Sequence, residues 1–214
     1  TYWTDEFNTT TLGSEWSWIN EDPTHWSLTA NPGFLRITLQ QTPGTNWLVQ
    51  PAPAGDFDIQ THVLFNPVEN FELAGLLLYQ EDGTFLMLGR AFCGFGYPAC
   101  VNGNGIYFDH VEENTVVSDN FAMLTPYTDR AYLRIIHEGE NYTAYISEDG
   151  EDWWLVGRHV MGAGVDLTSM GLATSTGAQE VAEIYADFDF FQFGPSTPLT
   201  LRSLLPLILK LPTP

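Results

Sequence analysis

Aromatic side chains in polar surroundings are the residues of this sequence best suited to contact a ligand. The chain has seven Trp and nine Tyr, and their polar groups need a partner or water when they are buried. Such flat rings can stack on the apolar C–H faces of sugar rings, although each ring taken alone also fits a core or its rim. Arg90 shares a strand face with Leu86 and Leu88, and a lone guanidinium among apolar side chains requires an acidic or hydroxyl-rich partner. We expect five residues to face a saccharide: Trp47, Tyr79, Arg90, Tyr107 and Asp109.

A row of acidic residues in the last predicted strand offers a second kind of chemistry. Three interpretations remain open for it: a solvated face, part of a calcium site, or part of a hydrolytic site. Calcium takes six to eight oxygen ligands, and glycoside hydrolysis needs only two carboxylates. Strict alternation gives one face Glu183, Tyr185, Asp187 and Asp189, and the other face Ile184, Ala186, Phe188 and Phe190.

The motifs of several other catalytic classes are missing from the sequence. The five His residues form no His-Glu-x-x-His pair, and there is no Gly-x-Ser-x-Gly turn and no Gly-rich phosphate loop. Zinc catalysis, acyl transfer and phosphoryl transfer are therefore not indicated, and we assign no catalytic residue.

The charge balance excludes nucleic acid as a partner. Seven Lys and Arg stand against 27 Asp and Glu, a net charge of −20 over 214 residues. Proteins that bind nucleic acid gain most of their affinity by neutralising phosphates with Lys and Arg. With 44% apolar residues, the chain can still build a sizeable core, so we expect one folded domain.

Cysteine usage and glycosylation triplets fit an exported chain. Cys93 and Cys100 are the only cysteines, and the Gly- and Pro-containing stretch between them can turn back, so we predict one disulfide. Two reduced core thiols are the alternative, and an incomplete zinc set is a weaker one. Asn8 and Asn141 begin Asn-x-Thr triplets. The chain begins at Thr1 without an apolar leader, as in a mature or trimmed chain, and we expect an extracellular or cell-surface location.

The elements that must position these residues are β-strands. Alternation of apolar and polar residues recurs along the chain, whereas no stretch sustains a helical period for three turns. Gly-containing turns at residues 81–83, 102–105, 139–141 and 149–150 separate the strands at hairpin spacing. Two packed antiparallel sheets follow. The predicted strands cover residues 34–40, 56–63, 71–80, 84–92, 105–111, 130–137, 141–148 and 183–193.

The composition changes after the last predicted strand, which divides the chain into a sandwich domain, 1–194, and a Pro- and Leu-rich tail, 195–214. The tail's apolar run is shorter than the ~18 residues that a membrane span needs, and Pro206 and Pro212 interrupt it. We therefore expect no transmembrane segment. Residues 203–210 would suit one extended edge strand, which either lies on its own sandwich or docks on a neighbouring subunit or a cell-surface receptor.

Several motifs resemble those of a known family. Asp5-Glu6-Phe7-Asn8, Asn70-Phe71-Glu72-Leu73, Ser147-Glu148-Asp149-Gly150 and Ala186-Asp187-Phe188-Asp189 are similar to segments of the concanavalin A-like lectin/glucanase superfamily. More narrowly, the chain resembles the carboxy-terminal β-sandwich module of family 43 beta-xylosidases and its free-standing bacterial relatives. The resemblance spans about residues 3 to 193.

The resemblance implies a jelly-roll sandwich that contacts glycans on its concave sheet. It also implies a calcium ion that bridges the first and last strands. The catalytic propeller of the xylosidases is not expected in this chain, so hydrolysis by analogy has no support. The calcium ligands that the resemblance implies by position are Asp5 or Glu6 with Asp187 or Asp189.

The leading hypothesis is an exported, lectin-like sandwich that binds a polysaccharide or oligosaccharide and has no chemistry of its own. One alternative is a structural surface or filament subunit that assembles through residues 199–214. The other is a small glycoside hydrolase that uses paired carboxylates.

Overall fold

The alternating sequence forms sixteen β-strands in a computed structural model of the chain. The residues that the model describes contain no helix. The strands form two antiparallel sheets of eight strands each. The all-β, two-sheet jelly-roll prediction is therefore confirmed. The described residues are 1–42, 44–94, 101, 103–117, 120–125, 129–162, 165–176 and 183–196.

The first sheet contains the strands that carry the acidic row. Strand β1 pairs with β16 at one side of the sheet, outside the main path. In spatial order the path runs through β14 (Trp153–Val160), β13 (Asn141–Ser147), β12 (Arg130–Glu138), β6 (Phe57–Leu64), β16 (Tyr185–Gly194), β4 (Leu35–Thr38) and β3 (Trp26–Ser27), with β1 at Trp3–Asp5.

The second sheet contains most of the predicted saccharide-facing residues. Strand β11 pairs with β9 beside the main path. In spatial order the path runs through β10 (Thr115–Val116), β9 (Gly103–Glu112), β8 (Thr84–Cys93), β7 (Leu73–Gln80), β15 (Ser169–Ser175), β5 (Trp47–Pro51) and β2 (Ser17–Ile19), with β11 at Phe121–Leu124.

Strand β6 shows how alternation builds the core between the sheets. Phe57, Ile59, Thr61 and Val63 alternate along the strand, and all four are buried. Each fully buried aliphatic or aromatic side chain contributes about 1.5–3 kcal/mol relative to an exposed one. The same core takes in Leu76 and Leu78 of β7, Leu86 and Leu88 of β8, Phe108 of β9, and Leu133 and Ile135 of β12.

A β-bulge corrects the predicted faces of β16. Phe188 pairs with Val63, whereas Phe190 pairs with His62, the preceding residue of β6. Asp189 is therefore an extra residue in the ladder, and the alternation reverses after it. Phe191 rather than Phe190 is buried in the core.

The predicted turn at residues 102–105 is also wrong. Gly103 and Gly105 lie within β9, while Asn102 is outside the described residues. A Cβ at Gly105 would stand 2.9 Å from the carbonyl oxygen of Met123 on β11. The glycine is needed for the close approach of the neighbouring strand rather than for a chain reversal.

Strands β5, β14 and β15 were not predicted. In β15, a Cβ at Gly171 would collide with the carbonyl oxygen of Leu48 on β5. Small residues at such close approaches weaken the alternating pattern, which explains why the strand is hard to recognise.

The described part of the chain forms no helix long and apolar enough to span a membrane. Residues 197–214 lie outside the described residues. The domain boundary, the strand predicted at 203–210 and self-assembly through residues 199–214 therefore stay predictions.

Candidate functional site

A cavity of about 540 Å³ lies on the outer face of the second sheet. Four of the five residues expected to face a saccharide line it: Trp47 from β5, Tyr79 from β7, and Tyr107 and Asp109 from β9. They meet there because alternation turns each of them to the face of the sheet that points away from the core.

Leu73 of β7 and Met87 and Ala91 of β8 line the cavity, next to a row of small residues in the same sheet. Gly89 lies between Tyr107 and Gly75 in the register of three neighbouring strands. Ala173 continues this row on β15, opposite Gly75. A Cβ at Gly75 would collide with the backbone of β8, and one at Gly89 would collide with the Leu73 side chain, which covers this glycine. The cavity is thus a trough with an apolar floor and aromatic residues at both ends.

The aromatic residues of the trough are held by edge-on packing. The ring centroid of Trp47 is 5.7 Å from that of Tyr79 at an interplanar angle of 78°, and 5.2 Å from that of Phe85 at 72°. The Trp47 Nε1 donates a hydrogen bond to the carbonyl oxygen of Thr174 at 3.2 Å. These contacts fix the plane of the indole before any ligand binds.

Tyr107 marks the other end of the trough. Its hydroxyl accepts a hydrogen bond from the backbone N–H of Val101 at 3.1 Å. From β9 to β5 there are four interstrand spacings, roughly 19 Å in all. The trough is therefore long enough for an oligosaccharide rather than for one sugar ring.

Asp109 is the only acidic residue among the described residues that line the cavity. It lies opposite Met87 on β8, and Tyr107 and Val111 flank it on the same face of β9. Loss of water around the carboxyl group raises the pKa of Asp109 to about 6. Among the described residues, no donor or cation counteracts this effect.

Polar side chains in the lining were missed by the sequence analysis. They are amides and a hydroxyl, and the Asn20 Nδ2 donates to the carbonyl oxygen of Gly44 at 3.1 Å. Asn20 and Asn114 have positive φ values of 48° and 63°, and Asn tolerates this region better than most residues. Asn at turns was the signal that could have found them. The polar lining residues are Asn20, Asn114, Asn120 and Ser175.

Arg90, the fifth predicted residue, does not line the cavity. Its side chain faces the interior of the sandwich with Leu86 and Leu88 and is fully buried. Its Nε donates to the carbonyl oxygen of Phe65 at 2.6 Å, and its Nη2 to the Oδ1 of Asn104 at 3.0 Å. Burial lowers the pKa of Arg90 to about 10. A carbonyl and an amide are thus among the partners of Arg90, and the charge of Asp129 also acts on it, because the face shared with the two leucines is the inner one.

The acidic residues of β16 are paired within the protein. Asp187 accepts hydrogen bonds from the Nε and Nη2 of Arg36, both at 2.7 Å, and from the Nδ2 of Asn31 at 2.9 Å. Asp189 lies 3.0 Å from the Nδ1 of His62. Glu183 and Asp187 line a shallow depression of about 360 Å³. The Asp187 carboxylate there is already hydrogen-bonded to Arg36.

The acids of the first strand also have partners of their own. Asp5 accepts hydrogen bonds at 2.8 Å from the backbone N–H of Phe7 and from the Nε1 of Trp16. Glu6 accepts one from Asn8 at 3.0 Å. The described residues contain no group of three or more His, Cys, Asp and Glu arranged to hold a metal ion. Calcium at Asp5, Glu6, Asp187 and Asp189 therefore stays a prediction.

The predicted disulfide and glycosylation sites are only partly described. Cys93 is buried at the end of β8 and lines the cavity, whereas Cys100 lies outside the described residues. Asn8 is exposed, and Asn141 is half-buried at the start of β13. The disulfide and both glycosylation sites stay predictions, as does the extracellular location.

Two stacked eight-stranded sheets with a cavity on the outer face of one of them define a jelly-roll sandwich of the concanavalin A-like class. The chain belongs to the family of the beta xylosidase C-terminal concanavalin A-like domain, which matches residues 4–194. This confirms the resemblance seen in the sequence.

Three proteins similar to this chain are longer than it is. A putative beta-xylosidase of Escherichia coli (strain K12) is 25% identical over 215 residues, covering 90% of this chain and 38% of that protein. A beta-xylosidase of Formosa agariphila is 26% identical over 168 residues, covering 66% of this chain and 28% of that protein. A mutant of the GH43 protein BlXynB from Bacillus licheniformis has the same fold, with a TM-score of 0.77 at 20% identity over 90% of this chain and 39% of that one. The chain thus spans less than two fifths of the length of these relatives.

Proposed function

We propose that this domain binds an oligosaccharide in the trough of the second sheet and performs no chemistry on it. The observation that carries the proposal is the trough itself, with its apolar floor, its aromatic ends at Trp47 and Tyr107, and its polar lining. Ligand sites are typically apolar concavities with a few polar groups that fix orientation.

The energetics suit a sugar chain. Aromatic planes cover the apolar C–H faces of sugar rings, and each such contact contributes on the order of 1 kcal/mol beyond area burial. The amides of Asn20 and Asn114 offer both donors and acceptors to ring hydroxyls. Since the named relatives are beta-xylosidases, xylo-oligosaccharides are the first ligands to test.

Binding without hydrolysis fits the carboxylates near the trough. Hydrolysis of a glycosidic bond needs a pair of them, and the described lining supplies only Asp109. The acids of β16 are on the other sheet and are paired with Arg36 and His62. The trough therefore favours a lectin-like role over the hydrolase alternative.

Calorimetric titration with xylan, glucan and mannan oligosaccharides tests the proposal. Tyr79→Ala removes one wall of the trough and is expected to weaken binding at least about fivefold, in line with the loss of an aromatic contact. Trp154→Ala is the matched control, because Trp154 is 50% exposed on β14 of the first sheet, and it should leave affinity unchanged. Equal losses in the two variants would overturn the proposal, as would the absence of binding both to every member of the panel and to glucosamine oligomers.

A further inference from the structure

The ionisable groups of the trough are few. Among the described lining residues there is no Lys, Arg or His, and the ionisable side chains apart from Cys93 are Tyr79, Tyr107 and Asp109. Burial raises the pKa of both tyrosines above the usual value of 10.0, so both stay neutral at physiological pH. Asp109 thus supplies the one charge that a ligand in the described trough would meet near neutral pH.

We propose that the oligosaccharide bound in the trough carries a protonated amine, as unacetylated amino sugars do, and that Asp109 selects it. This inference rests on the proposed saccharide-binding function, which it narrows to one chemical class of sugar.

An unpaired carboxylate in an apolar wall is better matched by a cation than by a hydroxyl group. A hydroxyl can donate one hydrogen bond to Asp109 but leaves its charge uncompensated, whereas an ammonium group donates a hydrogen bond and neutralises the charge. Hydrogen bonds to charged groups contribute about 1.5–3 kcal/mol, against about 0.5–1.5 kcal/mol for neutral ones. Binding of an amine should also return the raised pKa of Asp109 toward lower values, because a nearby opposite charge favours the ionised form.

The surroundings of Asp109 also favour a cation. Tyr107 lies two residues away on the same face of β9, and Phe85 lies diagonally across the ladder, beside Met87. The faces of aromatic rings attract ammonium groups. The chain has a net charge of −20. This charge attracts cationic ligands, which raises their local concentration and their rate of association.

The pH dependence of this site is assigned to Asp109 and the ligand amine. On β8 the residues nearest to Asp109 on its face are Phe85 and Met87, which do not titrate. On β9 itself, His110 and Glu112 alternate to the opposite face, where the His110 Nε2 lies 3.1 Å from a Glu112 carboxylate oxygen. From β11, Ala122 pairs with Tyr107 and carries no charge.

The experiment compares three ligands by calorimetry: unacetylated glucosamine oligomers, their fully N-acetylated counterparts, and xylo-oligosaccharides. At about pH 6.5 the amine-bearing oligomer is expected to bind about tenfold more tightly than the acetylated one, and at about pH 4.5, where Asp109 is protonated, the difference should disappear. Asp109→Asn should abolish the preference at about pH 6.5. Asp166→Asn, which changes an exposed acid outside the lining, should retain the preference.

Each outcome separates this inference from the proposed function. Equal affinity for the amine-bearing and acetylated oligomers in the wild-type protein overturns the inference and leaves saccharide binding intact. A preference that survives in Asp109→Asn overturns the assignment to Asp109. No binding of any of the three sugars overturns the proposed function as well.

Discussion

Asp109 on β9 faces Met87 on β8 across the antiparallel ladder, so a carboxylate stands opposite a thioether at the wall of an apolar trough. Nothing in this arrangement stabilises the charge, and the fold is less stable for it. Proteins retain such groups mainly where a ligand needs them. The environment of the Asp109 carboxylate therefore affects both the stability of the fold and the binding of a ligand. A measurement of either property can test it.

Asp109→Asn is expected to stabilise the protein near neutral pH. The pKa of Asp109 rises from 3.8 to about 6 on folding, so its contribution to stability is fully present below about pH 4 and is lost as the pH rises through about 6. Replacement by the neutral amide should raise the free energy of unfolding by on the order of 2 kcal/mol above about pH 6, with little change at about pH 4. Urea unfolding across this range measures the difference. A variant that is less stable than wild type at about pH 7 would contradict the assigned environment.

Arg134→Met should be strongly destabilising because it leaves Asp58 buried without its cation. Asp58 is fully buried; the Arg134 Nε donates to its Oδ1 at 3.0 Å, and the Nη2 donates to its Oδ2. Breaking one side of a buried ion pair costs about 3–5 kcal/mol. Thermal unfolding gives the loss, and Arg158→Met, on the exposed edge strand β14, is the control. Equal melting temperatures for Arg134→Met and Arg158→Met would show that the buried pair is not important for stability.

Gly157→Ala tests how closely β11 of the second sheet packs against β14 of the first sheet. A Cβ at Gly157 would collide with the ring of Phe121, which also lines the cavity. Overpacking of this kind costs about 1–3 kcal/mol. Gly162→Ala is a matched control, because no atom lies within 4 Å of its added Cβ. Chemical unfolding should separate the two variants; similar stabilities would mean that Phe121 is not held against β14.

Reduction of the predicted Cys93–Cys100 disulfide is expected to lower stability by roughly 2–3 kcal/mol, the loop-entropy value for so short a ring. Alkylation followed by mass spectrometry, with and without reductant, tests the pairing directly. Labelling of both cysteines without reductant would exclude the disulfide, and the lower melting temperature should appear only in the reduced sample.

Sequence alternation was sufficient to predict the sandwich but not every inward-facing residue. In β6, Phe57, Ile59 and Val63 obey the period of two from end to end. In β16 the extra residue at Asp189 reverses the pattern, and Phe191 moves inward because it packs against Trp16 at 5.2 Å between ring centroids. A bulge depends on the partner strand, so one strand's sequence does not reveal it.

The residue types of the candidate site were predictable from the sequence, but the face of the sheet to which each side chain points was not. Trp47, Tyr79, Tyr107 and Asp109 line one cavity, as expected for aromatic residues among polar neighbours. Arg90 lies on the opposite face of its sheet, because nothing in the period of two says which face of a strand points inward. The row of Gly89, Gly75 and Ala173 beside the cavity also escaped prediction, since it is formed by residues of three strands that are brought together only by their register.

Backbone amide chemical shifts during titration with an oligosaccharide test the central claim most directly. The account predicts saturable shifts at the second sheet, centred on the cavity-lining residues Leu73, Met87, Tyr107 and Asp109, while the amides of β6 and β12 in the first sheet stay unchanged. Shifts confined to the first sheet would contradict it. So would the absence of shifts at ligand concentrations of about 10 mM, because even a ligand with a Kd of ~1 mM is close to saturation there.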